Sequence, residues 1–357
     1  MSDPAEVKAF LNRGRMLADG IPWPDLERAE SAASDPETDW FDFWMARADR
    51  YAALGERTLG ESHRTSAGEL LWLASLTAHY AQYMWFHDRE RREFGQRRKV
   101  DLFDRAASHL RPPGERIEIP FEGATIPGYL RLPAGGDGPV PCCVLIGGLE
   151  GTKEESHRFE DLCLERGLAS FSFDGPGQGE MFFEVKLRPD FERYSSAVLD
   201  ELESRPEIDS GRIGVLGRSL GGHYAPKSAA CDDRFAACCA WGACFDLSDL
   251  DSMPARTRAG FLYATGIEDT AAARHPLLDS LDLAPVAERA TCPILVVHGR
   301  HDVIFSLEQV DKFRRSMVNA ELEVQVERDG DHRCHNMGHV VRPRMADWLA
   351  DRLGGRP

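Results

Sequence analysis

The sequence predicts an α/β protein whose mainly parallel sheet is flanked by helices and preceded by a domain of helices alone. Three observations predict it. Residues 4 to about 110 carry almost no strand signal. From Arg116 onward, a hairpin pattern and then six short apolar runs alternate with helical stretches. Apolar runs without polar alternation are what strands buried on both faces look like. One of them, Ile213-Gly214-Val215-Leu216, leads straight into Gly217-Arg218-Ser219-Leu220-Gly221 and then a helical pattern.

The elements follow in order. Helices are expected over Pro4 to Asp19, Trp23 to Ala33, Asp39 to Gly60 and Thr65 to His87. The fourth should open on a capping box, Ser66-Ala67-Gly68-Glu69, and is apolar almost all round, so it should be buried on several sides. The basic stretch Arg89 to Arg98 continues into Val100 to Leu110, and Arg111-Pro112-Pro113-Gly114 breaks the helix. The domain boundary is placed there, giving a helical domain over 1–112 and a catalytic domain over 113–357. Arg116 to Pro120 and Ile126 to Leu132 read as a hairpin turning through Glu122-Gly123-Ala124. The strand runs are Pro141 to Ile146, Ala169 to Phe173, Ile213 to Leu216, Ala236 to Trp241, Ile294 to Val297 and Leu322 to Val326. Residues 245–290 carry several helical pieces between two strands, a plausible pocket-wall insertion.

Composition narrows the function. With 357 residues, 42% hydrophobic and 29% charged, there is ample material for a large core. The 43 basic and 59 acidic side chains give a net charge of −16, which suits neither nucleic acid nor an anionic membrane surface. It suits an enzyme with a small-molecule substrate. Of the nine cysteines, Cys142, Cys143, Cys238, Cys239 and Cys244 lie in or beside strand-like runs, and no C-x-x-C pair supports a zinc or redox site. A reducing cytoplasm fits that pattern. Met1 to Glu6 lacks the basic and apolar regions of a signal peptide, and no apolar run reaches membrane-spanning length.

The chemistry centres on Ser219. G-x-S-x-G between strand and helix is a nucleophile elbow: the turn is so tight that Gly217 and Gly221 must be small, and the following helix aims its first N–H groups at the site. A serine hydroxyl is a poor nucleophile near neutral pH and needs a base, which in turn needs a carboxylate to fix its tautomer. Both occur later, each behind a strand. Pro293 to Gly299 runs into Asp302, and Glu323 to Val326 runs into Asp329-Gly330-Asp331-His332. His332 is preferred as base because its turn follows the strand most closely; His335 and His339 should begin the last helix. His298 and His301 flank the acid loop, where packing or a backbone hydrogen bond is the simpler role.

An oxyanion hole needs two backbone N–H groups. Leu220 should give one and Leu149, in Ile146-Gly147-Gly148-Leu149-Glu150-Gly151, the other, with the Glu150 N–H as second choice. The Asp174-Gly175-Pro176-Gly177-Gln178-Gly179-Glu180 turn is read as structural. Glu150 is the unusual residue, because a carboxylate beside an oxyanion hole opposes the developing charge. It is either a proton handler or orienter of His332, or one half of a surface pair with Lys153.

These residues resemble a known group. The second half is similar to the α/β-hydrolase superfamily. More narrowly, Gly147 to Glu155, Asp174 to Glu180, the helical first domain, Ala18 to Pro22 and Asp39-Trp40-Phe41 resemble the 2,6-dihydroxypseudooxynicotine hydrolase family, with fungal polyketide-shortening hydrolases and fermentation-respiration switch proteins as relatives. The resemblance implies an α/β-hydrolase core with an N-terminal all-helical cap domain, hydrolysis of a C–C bond in an acylated aromatic ketone, and a homodimer. The family's serine, aspartate, histidine and oxyanion-loop acid fall on Ser219, Asp302, His332 and Glu150.

The expected protein is therefore a cytoplasmic serine hydrolase needing no metal or cofactor, with Ser219 attacking a carbonyl or activating water to do so. An aromatic substrate asks for an aromatic pocket, and Trp44, Tyr83, Trp85, Phe86 and Trp241 are the candidates, against the simpler reading that large aromatics fill cores. A carboxylesterase or amidase for small esters is the alternative enzyme. A non-catalytic regulatory protein on a hydrolase scaffold is the alternative of another class.

Overall fold

The computed structural model describes residues 11–83, 85–86, 88–135, 138–266 and 276–355. The chain divides into two compact units, Met1–Arg116 and Ile117–Pro357.

The first unit is helical: α1 (Arg13–Asp19), α2 (Trp23–Ala32), α3 (Trp40–Gly60), α4 (Arg64–Gln82) and α5 (Arg89–Ala107). The expected helix over Pro4 to Asp19 lies partly outside the described residues. Within them α1 begins behind Asn12, whose side chain accepts from the Arg15 N–H. Asp39 and Asp88 cap α3 and α5 in the same way. The expected capping box at Ser66 is not what starts α4. That helix begins two residues earlier, behind His63 and without a side-chain cap, so Ser66 sits inside its first turn. It also ends at Gln82, where Tyr83 turns to an extended conformation, rather than at His87, which lies outside the described residues. Between those ends α4 is enclosed on several sides, as its all-round apolarity requires: Leu71, Trp72 and every residue from Ala74 to Gln82 are buried.

The second unit carries an eight-stranded sheet in the order β1-β2-β4-β3-β5-β6-β7-β8. The strands are β1 (Gly114–Phe121), β2 (Ala124–Arg131), β3 (Val140–Ile146), β4 (Ala169–Phe173), β5 (Ile208–Arg218), β6 (Phe235–Trp241), β7 (Ile294–Gly299) and β8 (Leu322–Glu327). Glu122 and Gly123 both take positive φ, 51° and 81°, which is the turn a two-residue hairpin needs. β2 joins β4 antiparallel, and from β4 across to β8 the pairing is parallel. Helices α6 (His157–Leu164), α7 (Glu192–Glu203), α8 (Gly221–Cys231), α11 (Leu307–Ser316) and α12 (Gly338–Leu353) fill the crossovers and the end of the chain, while α9 (Ala255–Ala264) and α10 (Pro276–Asp279) belong to the long β6–β7 connection.

Alternate residues of the strands feed two cores. Cys142, Val144 and Ile146 pack with Val198 of α7 and Tyr224 of α8, whereas Cys143 and Leu145 pack with Phe159 of α6 and Met345 of α12. This two-sided burial is why the strands read as unbroken apolar runs. Among the described residues no helix is long and apolar enough to cross a membrane.

Three histidines enclosed in this unit bear on acid stability. Burial lowers the pKa of His157 well below the ordinary imidazole value, with Arg131 adding to it; burial also lowers His298, and pushes His223 down to about 3. The unfolded chain takes up protons at these rings near pH 6.5 and the folded chain does not, so stability is intact above that pH and falls as pH drops below it. The loss is about 1.4 kcal/mol per pH unit per histidine until the folded pKa is reached. Calorimetry from pH 7.5 to 5 should therefore show a steadily falling Tm below about pH 6.5. A Tm that stays level over that range would mean the rings are protonated inside the fold.

Candidate active site

The turn after β5 holds Ser219 in the left-handed region at φ 58°, a conformation that costs a non-glycine residue on the order of 1 kcal/mol. Its neighbours have no room for side chains. A Cβ on Gly217 would drive into the carbonyl oxygen of Gly221, and one on Gly221 into that of Gly147. The Ser219 N–H donates to the Trp241 carbonyl at 2.8 Å, tying the turn to the end of β6. α8 begins two residues on, with Leu220 as its cap.

Asp302 lies in the loop after β7, its side chain 1% exposed. Its Oδ1 accepts from the N–H groups of Ile304 (2.8 Å) and Phe305 (3.0 Å). Oδ2 is left for His332, whose Nδ1 stands 2.8 Å away. Burial alone would raise the carboxyl pKa, but His332 and the backbone donors outweigh it and hold Asp302 below the ordinary carboxylate value. A carboxylate can only accept, so Nδ1 of His332 carries the proton and Nε2 accepts from the Ser219 hydroxyl at 2.9 Å. The three residues singled out by chain order are thus linked in series. This arrangement can draw the serine proton onto imidazole and stabilise the imidazolium that forms.

The histidine loop is shaped by backbone packing. A Cβ on Gly299 would run into the Asp331 carbonyl, and Arg333 and Cys334 both take positive φ, 60° and 49°. The Asn336 side chain accepts from the Asp331 N–H (3.1 Å) and donates to the Asp329 carbonyl (2.7 Å). Of the competing histidines, His298 is buried with Nε2 at 3.0 Å from the Phe305 carbonyl, and His301 and His339 are exposed. His335 is buried beside Trp241, not in line with Ser219.

The glycine loop after β3 lies against the serine. An added Cβ on Gly148 would fall 2.9 Å from the Arg218 carbonyl oxygen and 3.1 Å from Ser219 Cβ. Leu149 and Glu150 follow at once and are half-buried. The Gly151 N–H returns to the Gly148 carbonyl at 3.1 Å, closing the turn. The surface pair of Glu150 with Lys153 is corrected by the structure. Lys153 is buried, because the chain dives inward after Gly151: its N–H donates to Asp174 Oδ1 (2.9 Å) and its Nζ to Asp174 Oδ2 (2.9 Å), Glu154 (2.6 Å) and Glu180. Burial alone would lower the Lys153 pKa; the three carboxylates overcome it and hold the ammonium charged. Glu154, Asp174 and Glu180 converge closely enough to ligate a cation, and the ammonium of Lys153 already fills that role.

The five aromatic candidates fall in both units. Trp241 is 1% exposed and sits in the core on the α6–α12 side of the sheet. Its indole N–H donates to the Arg333 carbonyl at 2.6 Å, so it braces the histidine loop, and this is why it is large and enclosed. Trp44 is fully buried in the helical unit against Trp40 and Tyr80. In the same unit Trp85 is buried near Phe41, while Tyr83 and Phe86 are half-buried beneath the guanidinium groups of Arg15 and Arg92.

The strand order, the serine turn after β5 and the acid and histidine behind β7 and β8 define the class: the protein is an α/β-hydrolase. The chain belongs to the FrsA-like esterase family, which it matches over residues 37–255, and residues 194–356 also match the prolyl oligopeptidase family. It is 45% identical over 344 residues to the 2,6-dihydropseudooxynicotine hydrolase of Paenarthrobacter nicotinovorans, covering 96% of this chain and 92% of that one. The crystal structure of a 2,6-dihydroxy-pseudo-oxynicotine hydrolase superposes with a TM-score of 0.90 at 44% identity over 97% of both chains. The hydrolase acrC of Aspergillus aculeatus is 34% identical over 235 residues, and this chain spans only 54% of its length. AbyA5, at 19% identity and a TM-score of 0.71, shares the fold.

Proposed function

We propose that this hydrolase cleaves a carbon–carbon bond next to a carbonyl in an acylated aromatic small molecule, such as an acyl-phenol. The observation that carries it is the unbroken series from Ser219 through His332 to Asp302 beside the Gly148 loop, in a chain close to a hydrolase of 2,6-dihydropseudooxynicotine. Ser219 attacks the carbonyl, or directs water to it, and His332 takes the proton while Asp302 holds it in the productive tautomer. The Leu149 and Leu220 N–H groups receive the oxyanion. Breaking the C–C bond leaves the electron pair on the ring carbon, which must gain a proton. An ortho or para hydroxyl makes this feasible by spreading the charge. Glu150, at the tip of the glycine loop, handles that proton or orients His332. Water ends as the new oxygen of the carboxylic acid.

The nine cysteines are free thiols, which suits a reducing cytoplasm, and a homodimer is the assembly that the family resemblance supports.

The test is a substrate panel run in ¹⁸O-water. Hydroxylated aryl ketones should be turned over with a kcat/KM at least about tenfold above that for p-nitrophenyl acetate, a difference of ~1.4 kcal/mol in transition-state binding, with label in the acid product. Turnover of the ester alone would make the protein a carboxylesterase. Failure of Ser219 to react with a fluorophosphonate would point to a non-catalytic scaffold.

A further inference from the structure

Gln178 lies in the tight turn after β4, which the sequence presents only as a structural connection. It is 2% exposed and all of its amide is used. Oε1 accepts from the Gly175 N–H at 3.2 Å, and Nε2 donates to the carbonyls of Gly147 at 2.6 Å and Gly148 at 3.2 Å. Only this orientation of the amide works, since the two carbonyls can only accept.

The second of those bonds has a geometric corollary. The Gly148 carbonyl and the Leu149 N–H belong to one peptide plane, and in a trans peptide they point in opposite directions. Gly148 has no side chain to hold that plane, and its φ and ψ are the freest available to any residue. Two donors hold it instead: the Gly151 N–H at 3.1 Å and Gln178 Nε2 at 3.2 Å, both on the Gly148 oxygen. With the carbonyl drawn towards Gln178, the Leu149 N–H is driven to the other side of the loop. The neighbouring plane is treated alike, for Gln178 also holds the Gly147 carbonyl, against which Gly221 packs with no space for a Cβ.

The turn that carries Gln178 is itself anchored. Asp174 accepts from the Lys153 N–H and Nζ and from the Glu180 N–H (3.1 Å), so the start and end of the turn grip the far end of the glycine loop. Gly179, at φ 44°, lies over the Asp174 carboxylate where any Cβ would collide. The two loops form one clamped unit, in which the Gln178 side chain bonds the glycine carbonyls themselves.

We propose that Gln178 is a positioning residue for the oxyanion hole: by holding the Gly148 carbonyl it aims the Leu149 N–H at the oxygen of the tetrahedral intermediate. This rests on the serine-hydrolase reading given above. It acts through the backbone, so it should leave ground-state binding alone and weaken the transition state.

Gln178→Met keeps the length and removes both donors. Its kcat should fall between about ten- and a hundredfold, short of the hundred- to thousandfold that deleting an oxyanion donor produces, with KM within about threefold. Affinity for phenylboronic acid, whose serine adduct places an oxygen in the hole, should fall in proportion to kcat. Gln178→Glu adds a readout independent of stability. Its protonated carboxyl can still accept from Gly175 and donate to Gly148, whereas its carboxylate can accept but not donate, so its activity relative to the unaltered enzyme should rise towards low pH and fall as pH rises. An unaltered kcat and boronate affinity in Gln178→Met, or a Gln178→Glu pH profile that parallels the parent, would overturn the positioning role by itself. If the unaltered enzyme fails to take up the boronate, or Ser219→Ala retains turnover, the serine-hydrolase reading falls and this role with it.

Discussion

Ser219→Ala should lose about six orders of magnitude in kcat, because a nucleophile and base that act as one unit fail together when either is removed. The substitution removes only the hydroxyl that donates to His332; alanine tolerates φ 58° no worse than serine does, so the turn should persist. The variant should therefore unfold at the parent's temperature, bind substrate with similar affinity and no longer react with a fluorophosphonate. Single-turnover measurements with enzyme in excess decide the matter. Retention of even a hundredth of the parent rate would move the nucleophile away from Ser219.

Asp302→Asn should lower kcat by about four orders of magnitude, for a reason specific to this loop. The Ile304 and Phe305 N–H groups both point at Oδ1, so the amide oxygen of asparagine must stay there and its NH₂ must face His332. A donor opposite Nδ1 forces the imidazole proton onto Nε2. That nitrogen can then no longer accept from Ser219. The fold has little reason to suffer, since the two backbone bonds survive. NMR of the histidine ring should report the inverted tautomer, and a kcat within tenfold of the parent would show that Asp302 does not govern His332.

The parts of this molecule legible in its sequence are those set by local signals. Ser219, Asp302 and His332 each stand in the loop behind a strand run, and the order of those runs brings them into one hydrogen-bonded series. The hairpin turn at Glu122-Gly123 was legible for the same reason. Strand ends were less so: β5 starts at Ile208, before its apolar stretch, because buried Ile208 pairs with Val140 of β3 ahead of a register shift, while Asp209 to Arg212 between are not buried. Ser66 looked like a helix cap because a capping box is a four-residue pattern, yet the α3–α4 turn brings the helix in at Arg64.

What stayed hidden depends on segments far apart in the chain. Lys153 reads as a surface residue in Thr152-Lys153-Glu154-Glu155 until Asp174 and Glu180 close around it. Trp241 reads as a pocket aromatic until Arg333, 92 positions later, takes its indole N–H. Gln178 carries no signal beyond standing in a glycine-rich turn, and its partners lie thirty residues upstream. The one available hint was polarity: Asp174, directly after the fully buried β4, needed a cation, and Lys153 in the preceding loop was within reach.

The backbone-to-backbone contacts at Gly147, Gly217, Gly221 and Gly299 also bear on how such an enzyme can diversify. Each of these glycines abuts a carbonyl, so the loops carrying the reacting groups admit neither a larger residue nor an inserted one without moving their neighbours. New substrate ranges must then arise elsewhere. The long connection between β6 and β7 is held at its base by the bridge of Asp246 to Asp282. In evolutionary terms the reacting loops are hard to alter, so a lineage that keeps this chemistry while exchanging its substrates must change outside them.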